Sequence, residues 1–517
     1  MTAIRVSAPL PAAGYADTAE LLAAAATVHG SRDAYVEADG TRISFADWVG
    51  RAGAVAGQLS SLGVRQGDVV ALMLPSGIDY AVCYAAAAML GAITAGLNPR
   101  LGPREIEAVL DRAAPALVVR DARHGAPAPI PPGLAELSGA ELASGTADPD
   151  ALPLPRIGRD APVSIVFTSG TTGLPKGAWF DANNLAASAA AAGAMSAPYD
   201  RRLTSTPFAH VGYMSKLWDQ LVWGTTLVIP PAPWNADGMF DVLRAERITV
   251  AGAVPTQWAK LLELPEVTPE ALPWLRIGVV ATAPASAALV ERVTERIGVP
   301  LVVRYAMTES PTICGTEPGD PPEILHRTVG RPQAGVEVKV TDDEGVSLPT
   351  GQVGRVRIKS GCGMRGYWNN PELTSAAFDA GGYLISGDLG TFDADGNLVL
   401  VGRSGDMYIR GGFNIHPVEI EQVLAEHPRV RAAAVVGHPA DVIGEIGVAF
   451  VVPDDPADPI SLPALRDWAK AHLSDYKAPD HLIVVAELPL TAMSKIDRNR
   501  LQQLVADNPP PPRKSKS

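Results

Sequence analysis

The sequence predicts an α/β protein: a large N-terminal domain of layered α/β subdomains plus a β-rich subdomain, followed by a small α+β C-terminal domain. Three observations predict it. At 517 residues the chain is too long for one hydrophobic core, so more than one domain is expected. Short β-rich runs at residues 69–74, 116–119, 164–167, 226–229, 277–280 and 301–303 are separated by Ala-rich helical stretches such as 285–297. Strand–helix alternation of this kind layers helices on largely parallel sheets. After Val329 the character changes: residues 336–340 and 354–359 alternate like half-exposed strands, with Asp342-Asp343-Glu344-Gly345 as the turn between them.

From about Met407 a compact unit is expected, with a helix at 418–427, strands at 432–436 and 447–452, and a helix at 462–473. Residues 80–97 are apolar over nearly the length of a membrane span. Their small residues and the break at Gly91 predict instead a core helix followed by a buried strand. The Pro/Ala-rich stretch 125–155 reads as a surface loop, and residues 508–517, with four prolines and three basic residues, as a disordered tail.

Hydrophobic residues make up 47% and charged residues 19% of the chain, the balance of a soluble enzyme. A net charge of −13 with no long basic run argues against nucleic-acid binding. Cys83, Cys314 and Cys362 lie far apart without metal spacing, which suits buried thiols in a reducing, cytoplasmic setting. The Ala-rich N-terminal segment, with acids scattered through it, does not read as a signal peptide.

Directly after the apolar run 164–167 comes Thr168-Ser169-Gly170-Thr171-Thr172-Gly173-Leu174-Pro175-Lys176-Gly177. It supplies three glycines, four hydroxyls and one lysine. Glycine lets backbone N–H groups crowd an anion, and the hydroxyls and ammonium add donors, which is the chemistry of a phosphate cradle. The spacing is not that of a Walker A loop. A flexible linker has similar composition, but Pro175 and the strand-like flank argue against one.

Further motifs follow in order: Arg304-Tyr305-Ala306-Met307-Thr308-Glu309 at a strand end, Ser386-Gly387-Asp388, Gly402-Arg403-Ser404-Gly405-Asp406, Arg410-Gly411-Gly412-Phe413-Asn414, and Ser494-Lys495-Ile496-Asp497. Together they resemble the adenylate-forming superfamily, in its AMP-forming acyl- and aryl-CoA synthetase branch, over residues 21–501. The resemblance implies that a carboxylate attacks ATP to give acyl-AMP and pyrophosphate, after which CoA displaces AMP. It implies a domain of residues 1–402, a hinge at 403–406, a mobile lid domain at 407–505 and a tail at 506–517.

Carried onto this chain, the resemblance gives each residue a role. Thr168, Ser169, Gly170, Thr171, Thr172, Gly173 and Lys176 clamp the β- and γ-phosphates, with Ala283 and Pro284 also on the nucleotide side. Glu309 is the Mg²⁺ ligand, a hard oxygen for a hard ion. Thr308 bonds the α-phosphate, Tyr305 stacks on adenine, Asp388 takes the ribose hydroxyls, and Arg403 reaches ribose or phosphate. Lys495 bridges the attacking carboxylate and the α-phosphate. Gly411, Gly412 and Phe413 line the CoA tunnel. The partners are the acid, ATP and CoA, with no nucleic acid and no membrane span; homodimerisation is left open.

Three departures from the family pattern stand out. The usual hinge Asp or Lys is Gly405, with Asp406 next. Ser494 replaces the Gly before Lys495. The glycine-rich acyl floor reads Ala281, Thr282 and Ala306, so three glycines have gained side chains. Added methyl groups take volume from a packed pocket, so a small or compact acid is expected. His210, Val211, Gly212 and Tyr213 form the opposite wall, with His210 lining or gating the acyl end; a packed core histidine is the alternative. No acid lies between 208 and 215 to hold an α-ammonium group, which disfavours amino acids. Two other readings remain: loading of a carrier protein, and a catalytically silent nucleotide-binding relative.

Overall fold

The computed structural model describes residues 8–98, 101–121, 130–145, 155–168, 175–204, 206–281, 285–411, 413–440, 443–491 and 496–509. Among the described residues, nine strands form one sheet in the order 331–332, 310–315, 301–307, 277–281, 250–253, 201–204, 226–228, 33–36 and 42–44. Strands from Leu301–Met307 through Asp33–Val36 run parallel, and antiparallel strands close both edges. A second sheet orders seven strands as 366–367, 176–181, 162–168, 93–96, 69–73, 117–120 and 135–138. It is parallel from Pro162–Thr168 outward and antiparallel at the 366–367 edge.

The apolar stretch 80–97 does become a core helix and a strand. Helix Ile78–Leu90 leaves Tyr80, Cys83 and Tyr84 without exposed surface. It stops at Gly91, whose φ of 67° lies in the left-handed region that glycine adopts without penalty. The next strand, Ile93–Gly96, is wholly buried. Small residues are required here, because a Cβ on Gly96 would lie 2.7 Å from both Met214 Sδ and Tyr80 Oη. Trp48 pins helix Phe45–Ser61 to this helix through an Nε1 donation to Ala81 O at 3.1 Å.

The β-rich region is a four-stranded antiparallel sheet, Val336–Thr341, Gly354–Ser360, Leu384–Phe392 and Leu398–Arg403. Its Val340, Val356, Ile358 and Leu398 pack with Tyr305, Ile313 and Cys314 of the neighbouring hairpin. The small α+β unit has strands Tyr408–Arg410, Phe413–Ile415, Val430–Ala440, Gly444–Pro453 and His481–Val484, with helices Pro417–Ala425, Leu462–His472 and Arg498–Asp507. It has its own core around Ile420, Leu424, Val451 and Leu465.

Two expectations need correction. Residues 125–155 are not simply a loop: Ala135–Ser138 is a strand pairing in parallel with Leu117–Arg120. Its Ala-Glu-Leu-Ser sequence carries almost no β signal, and the partner strand supplies the pairing. The final helix also runs to Asp507, inside the segment expected as tail, held by Asp497 accepting from Arg500 N at 3.0 Å and by buried Leu501 and Val505. Residues 510–517 lie outside the described residues. Cys83, Cys314 and Cys362 are buried and free. Among the described residues no helix is long and apolar enough to cross a membrane.

Candidate active site

The phosphate loop joins two antiparallel strands. Pro162–Thr168 pairs with Lys176–Asp181, Thr168 opposite Lys176 and Phe167 opposite Gly177. The approach is close enough that a Cβ on Gly177 would meet Ile165 Cγ2 at 2.7 Å. Thr168 and Lys176 thus stand at the two roots of the loop. Ser169, Gly170, Thr171, Thr172 and Gly173 lie outside the described residues.

A tyrosine that the motifs did not single out links this hairpin to Glu309. The short strand Gly366–Tyr367 adds to the edge of Lys176–Asp181, with Tyr367 opposite Ala178. Trp368 N donates to Gly177 O at 2.7 Å and Arg365 N to Trp179 O at 3.0 Å, extending the strap. The Lys176 ammonium lies 5.7 Å from the Tyr367 ring centre, within reach of the ring's negative face. The Tyr367 hydroxyl donates to Glu309 Oε1 at 2.8 Å. Burial, then the Glu309 charge, push this phenol above its ordinary pKa, so it stays a protonated donor. A cation from one hairpin and a carboxylate from another therefore meet on one ring. Thr308 precedes Glu309 at the turn and is part-exposed.

Glu309 Oε2 has no hydrogen-bond partner among the described residues, and among them no three His, Cys, Asp or Glu side chains gather as a metal cage. One hard carboxylate beside a phosphate loop fits Mg²⁺, which keeps waters and substrate phosphates as its other ligands.

Asp388 is held from two sides. Strand register sets it opposite Arg403. Arg403 Nε donates to Oδ1 at 2.9 Å, and the Tyr305 hydroxyl donates to Oδ2 at 2.5 Å. Both oxygens, expected to await ribose, are thus already engaged, each with a further lone pair to offer. Tyr305 is only 8% exposed, so the ring expected to stack on adenine has a narrow open face. Burial and Asp388 together raise its pKa well above that of an ordinary phenol.

The acyl side is split. His210 is part-exposed and caps helix Val211–Met214, its Nδ1 accepting from Gly212 N at 3.1 Å. A neutral ring thus carries its proton on Nε2, and the packed-core alternative for His210 is not met. Tyr213 departs from the expected open wall: it stacks on Phe208 with ring centres 3.7 Å apart and shares a 2.9 Å hydroxyl contact with Tyr35. Val211 is likewise core, at 3% exposure, so Gly212 and His210 carry the segment's accessible surface. Ala281 and Ala306 end or lie on adjacent parallel strands and are part-exposed. Thr282, Ala283 and Pro284 lie outside the described residues.

In the small unit, Gly411 (φ 59°) sits in the turn between Tyr408–Arg410 and Phe413–Ile415. Phe413 is 51% exposed and stacked on Tyr476 at 4.3 Å. Gly412 and Lys495 lie outside the described residues, although a Leu490–Ile496 bridge closes the base of the segment that carries Lys495. A Cβ on Gly405 would meet nothing within 4 Å. Asp406 does have an anchor: its Oδ2 is 3.3 Å from Arg498 Nε, and Arg498 also grips Glu421 at 2.8 and 2.9 Å.

A layered α/β body, a glycine- and hydroxyl-rich loop rooted beside the Lys176–Tyr367–Glu309 contact, and a small α+β domain define a nucleotide-dependent acid-activating enzyme. The chain belongs to the AMP-binding enzyme family: that family's model matches residues 22–368, and the AMP-binding enzyme C-terminal domain matches residues 419–495. It is 32% identical over 500 residues to the long-chain-fatty-acid–CoA ligase FadD13 of Mycobacterium tuberculosis, covering 92% of this chain and 96% of that protein. It is 34% identical over 480 residues to the 3-[(3aS,4S,7aS)-7a-methyl-1,5-dioxo-octahydro-1H-inden-4-yl]propanoyl:CoA ligase of the same organism, covering 87% and 91%. ATP-bound MatB from Rhodopseudomonas palustris superposes with a TM-score of 0.85 at 29% identity, over 95% of this chain and 99% of that one. The protein is an ATP-dependent, AMP-forming carboxylic acid–CoA ligase.

Proposed function

We propose that this ligase activates a compact carboxylic acid, short or closely branched, in preference to long straight chains and broad aromatics. The observation that carries the reading is the pair Ala281 and Ala306, on neighbouring strands where the family pattern has glycine. Each added methyl removes pocket volume that a close-packed interior cannot give back. The two ligases compared above are named for quite different acids, so the shared fold leaves this choice to the pocket residues.

In the first half-reaction a substrate carboxylate oxygen attacks the α-phosphorus of ATP and pyrophosphate leaves. In the second the CoA sulfur attacks the acyl carbonyl and AMP leaves. We assign Lys176, Thr168 and the loop between them to the leaving pyrophosphate, and Thr308 to the α-phosphate. Asp388, kept in place by Tyr305 and Arg403, takes the ribose. Glu309, oriented by Tyr367, would hold Mg²⁺, which supplies positive charge against the phosphates. Lys495 would neutralise charge between carboxylate and α-phosphate, and rotation about 403–406 would exchange it for the 411–413 segment when CoA reacts. The buried free thiols support a cytoplasmic setting.

A panel of short, branched, cyclic, aromatic and long-chain acids with ATP and CoA, read as AMP release, tests the reading. Compact acids are expected to give the highest kcat/KM. Fastest turnover on long straight chains would sink it.

A further inference from the structure

Lys216 joins the short helices Val211–Met214 and Leu217–Trp223, and its ammonium donates to Thr312 Oγ1 at 3.2 Å. Thr312 is on the strand that returns after Glu309. The pairs Tyr305–Cys314 and Met307–Ser310, with a register shift between them, leave Pro311, Thr312 and Ile313 opposite Ala306. The ammonium therefore reaches the strand segment beside the acyl floor.

Lys216 sits among charged side chains that are mostly paired with one another. Arg202 pairs with Asp219 at 2.7 Å, and the second Asp219 oxygen accepts from Ser196 Oγ at 2.8 Å. Arg304 faces Glu317 at 3.4 Å. Among the described residues Lys216 makes no ion pair, and its ammonium has only the threonine hydroxyl. The carboxylate whose charge attracts Lys216, Asp219, is already held by Arg202 and Ser196. Desolvation is the main reason the Lys216 pKa falls below its ordinary value; the Asp219 charge opposes the shift, and Arg202 and Arg304 add smaller repulsions. Yet the residue keeps part of its accessible surface.

The geometry points to Lys216 as the recognition group for a second carboxylate on the substrate, which makes the acid a compact dicarboxylic acid. One carboxylate is adenylated, and the other supplies the ion-pair partner that the ammonium lacks among the described residues. The assignment rests on the reading that the acyl group lies beside Ala306. A methyl-terminated acid of the same length would leave the ammonium desolvated and unpaired, and a site built for a polar group discriminates strongly against the analogue lacking it.

The test compares same-length pairs, succinate with butyrate, glutarate with valerate and adipate with hexanoate, in the wild-type chain and in Lys216→Met, which keeps length and loses charge. AMP release with ATP and CoA gives kcat/KM. In the wild type at least one dicarboxylate is expected to exceed its partner by at least about tenfold. In Lys216→Met that ratio should fall to about one or below, with the monocarboxylate rate rising. Thermal denaturation adds a readout free of turnover: the favoured dicarboxylate raises the wild-type midpoint and not that of the variant. Lys216→Gln serves as the second variant should Lys216→Met not fold. An unchanged ratio in the variant, or wild-type preference for the monocarboxylates, overturns the assignment of Lys216 alone. AMP release confined to long-chain acids overturns the compact-acid reading together with it.

Discussion

At the proposed nucleotide end, the charged groups assigned to ATP are held by protein partners. Glu309 takes the Tyr367 hydroxyl, and Asp388 is gripped by Tyr305 and Arg403. At the acyl end, Lys216 has a threonine hydroxyl and no carboxylate, and two alanines narrow the floor. The first region is preorganised for a substrate shared by the whole family, with its reorganisation cost met on folding. In the second the ammonium is left with one hydroxyl partner, so what enters has more to supply. Affinity for ATP and choice of acid are thus separable properties.

The largest effect expected is at Lys495. Lys495→Ala should lower pyrophosphate exchange by on the order of 10²–10³, as for loss of one preorganised charge donor, and largely spare thioester formation from supplied acyl-adenylate. Equal loss in both half-reactions would remove it from adenylation. Next is Asp388→Ala, which strips the partner shared by Tyr305 and Arg403. Hydrogen bonds to charged groups contribute about 1.5–3 kcal/mol, so the ATP KM should rise roughly 10- to 100-fold while preference among acids stays put. A changed acid ranking would break the separation between the two ends.

Tyr367→Phe keeps the ring beside Lys176 and removes only the donor to Glu309. A loss of about tenfold in pyrophosphate exchange, with unchanged CoA KM, is expected from that one bond; wild-type exchange in the variant would make the strap merely structural. The smallest effect is at His416, whose pKa burial lowers from 6.5. The unfolded chain then binds more protons than the folded one just below that pH, so stability falls as pH drops through about 6.5. His29 is lowered in the same way and shares the window. His416→Gln should therefore reduce the slope of the thermal midpoint with pH and not abolish it; an identical slope would discount His416.

How much of this could be read beforehand divides along the same line. Glycine, hydroxyl and acid motifs are local chemistry, so the phosphate loop, Thr308, Glu309, Asp388 and Arg403 are visible in the order of residues. The β-rich runs at 69–74 and 277–280 are likewise carried by their own side chains. Tyr367 is not visible, because its role comes from pairing with Ala178, nearly two hundred positions away in the chain. Ala135–Ser138 is hidden for the same reason: its partner strand and not its composition makes it a strand. Lys216 looks like any helix-flanking lysine until Arg202, Arg304 and Asp219 are placed around it. Tyr213, expected on the acyl wall, is also core: an aromatic near His210 suits either place, and its stacking on Phe208 is visible only in the fold.

The Asp406–Arg498–Glu421 contacts bear on how the small domain turns. Arg498 lies just past the segment that carries Lys495, and it clasps Glu421 of helix Pro417–Ala425 as well as Asp406. Asp406 is in this way riveted to the small domain, so the proposed rotation about 403–406 would twist the chain ahead of it, at Ser404 and Gly405. Gly405, with nothing near its absent Cβ, would be the free axle. The rivet would make the last strand of the large domain and the 490–496 segment the two arms of one crank, so that the proposed swing moves that segment as one piece with Asp406.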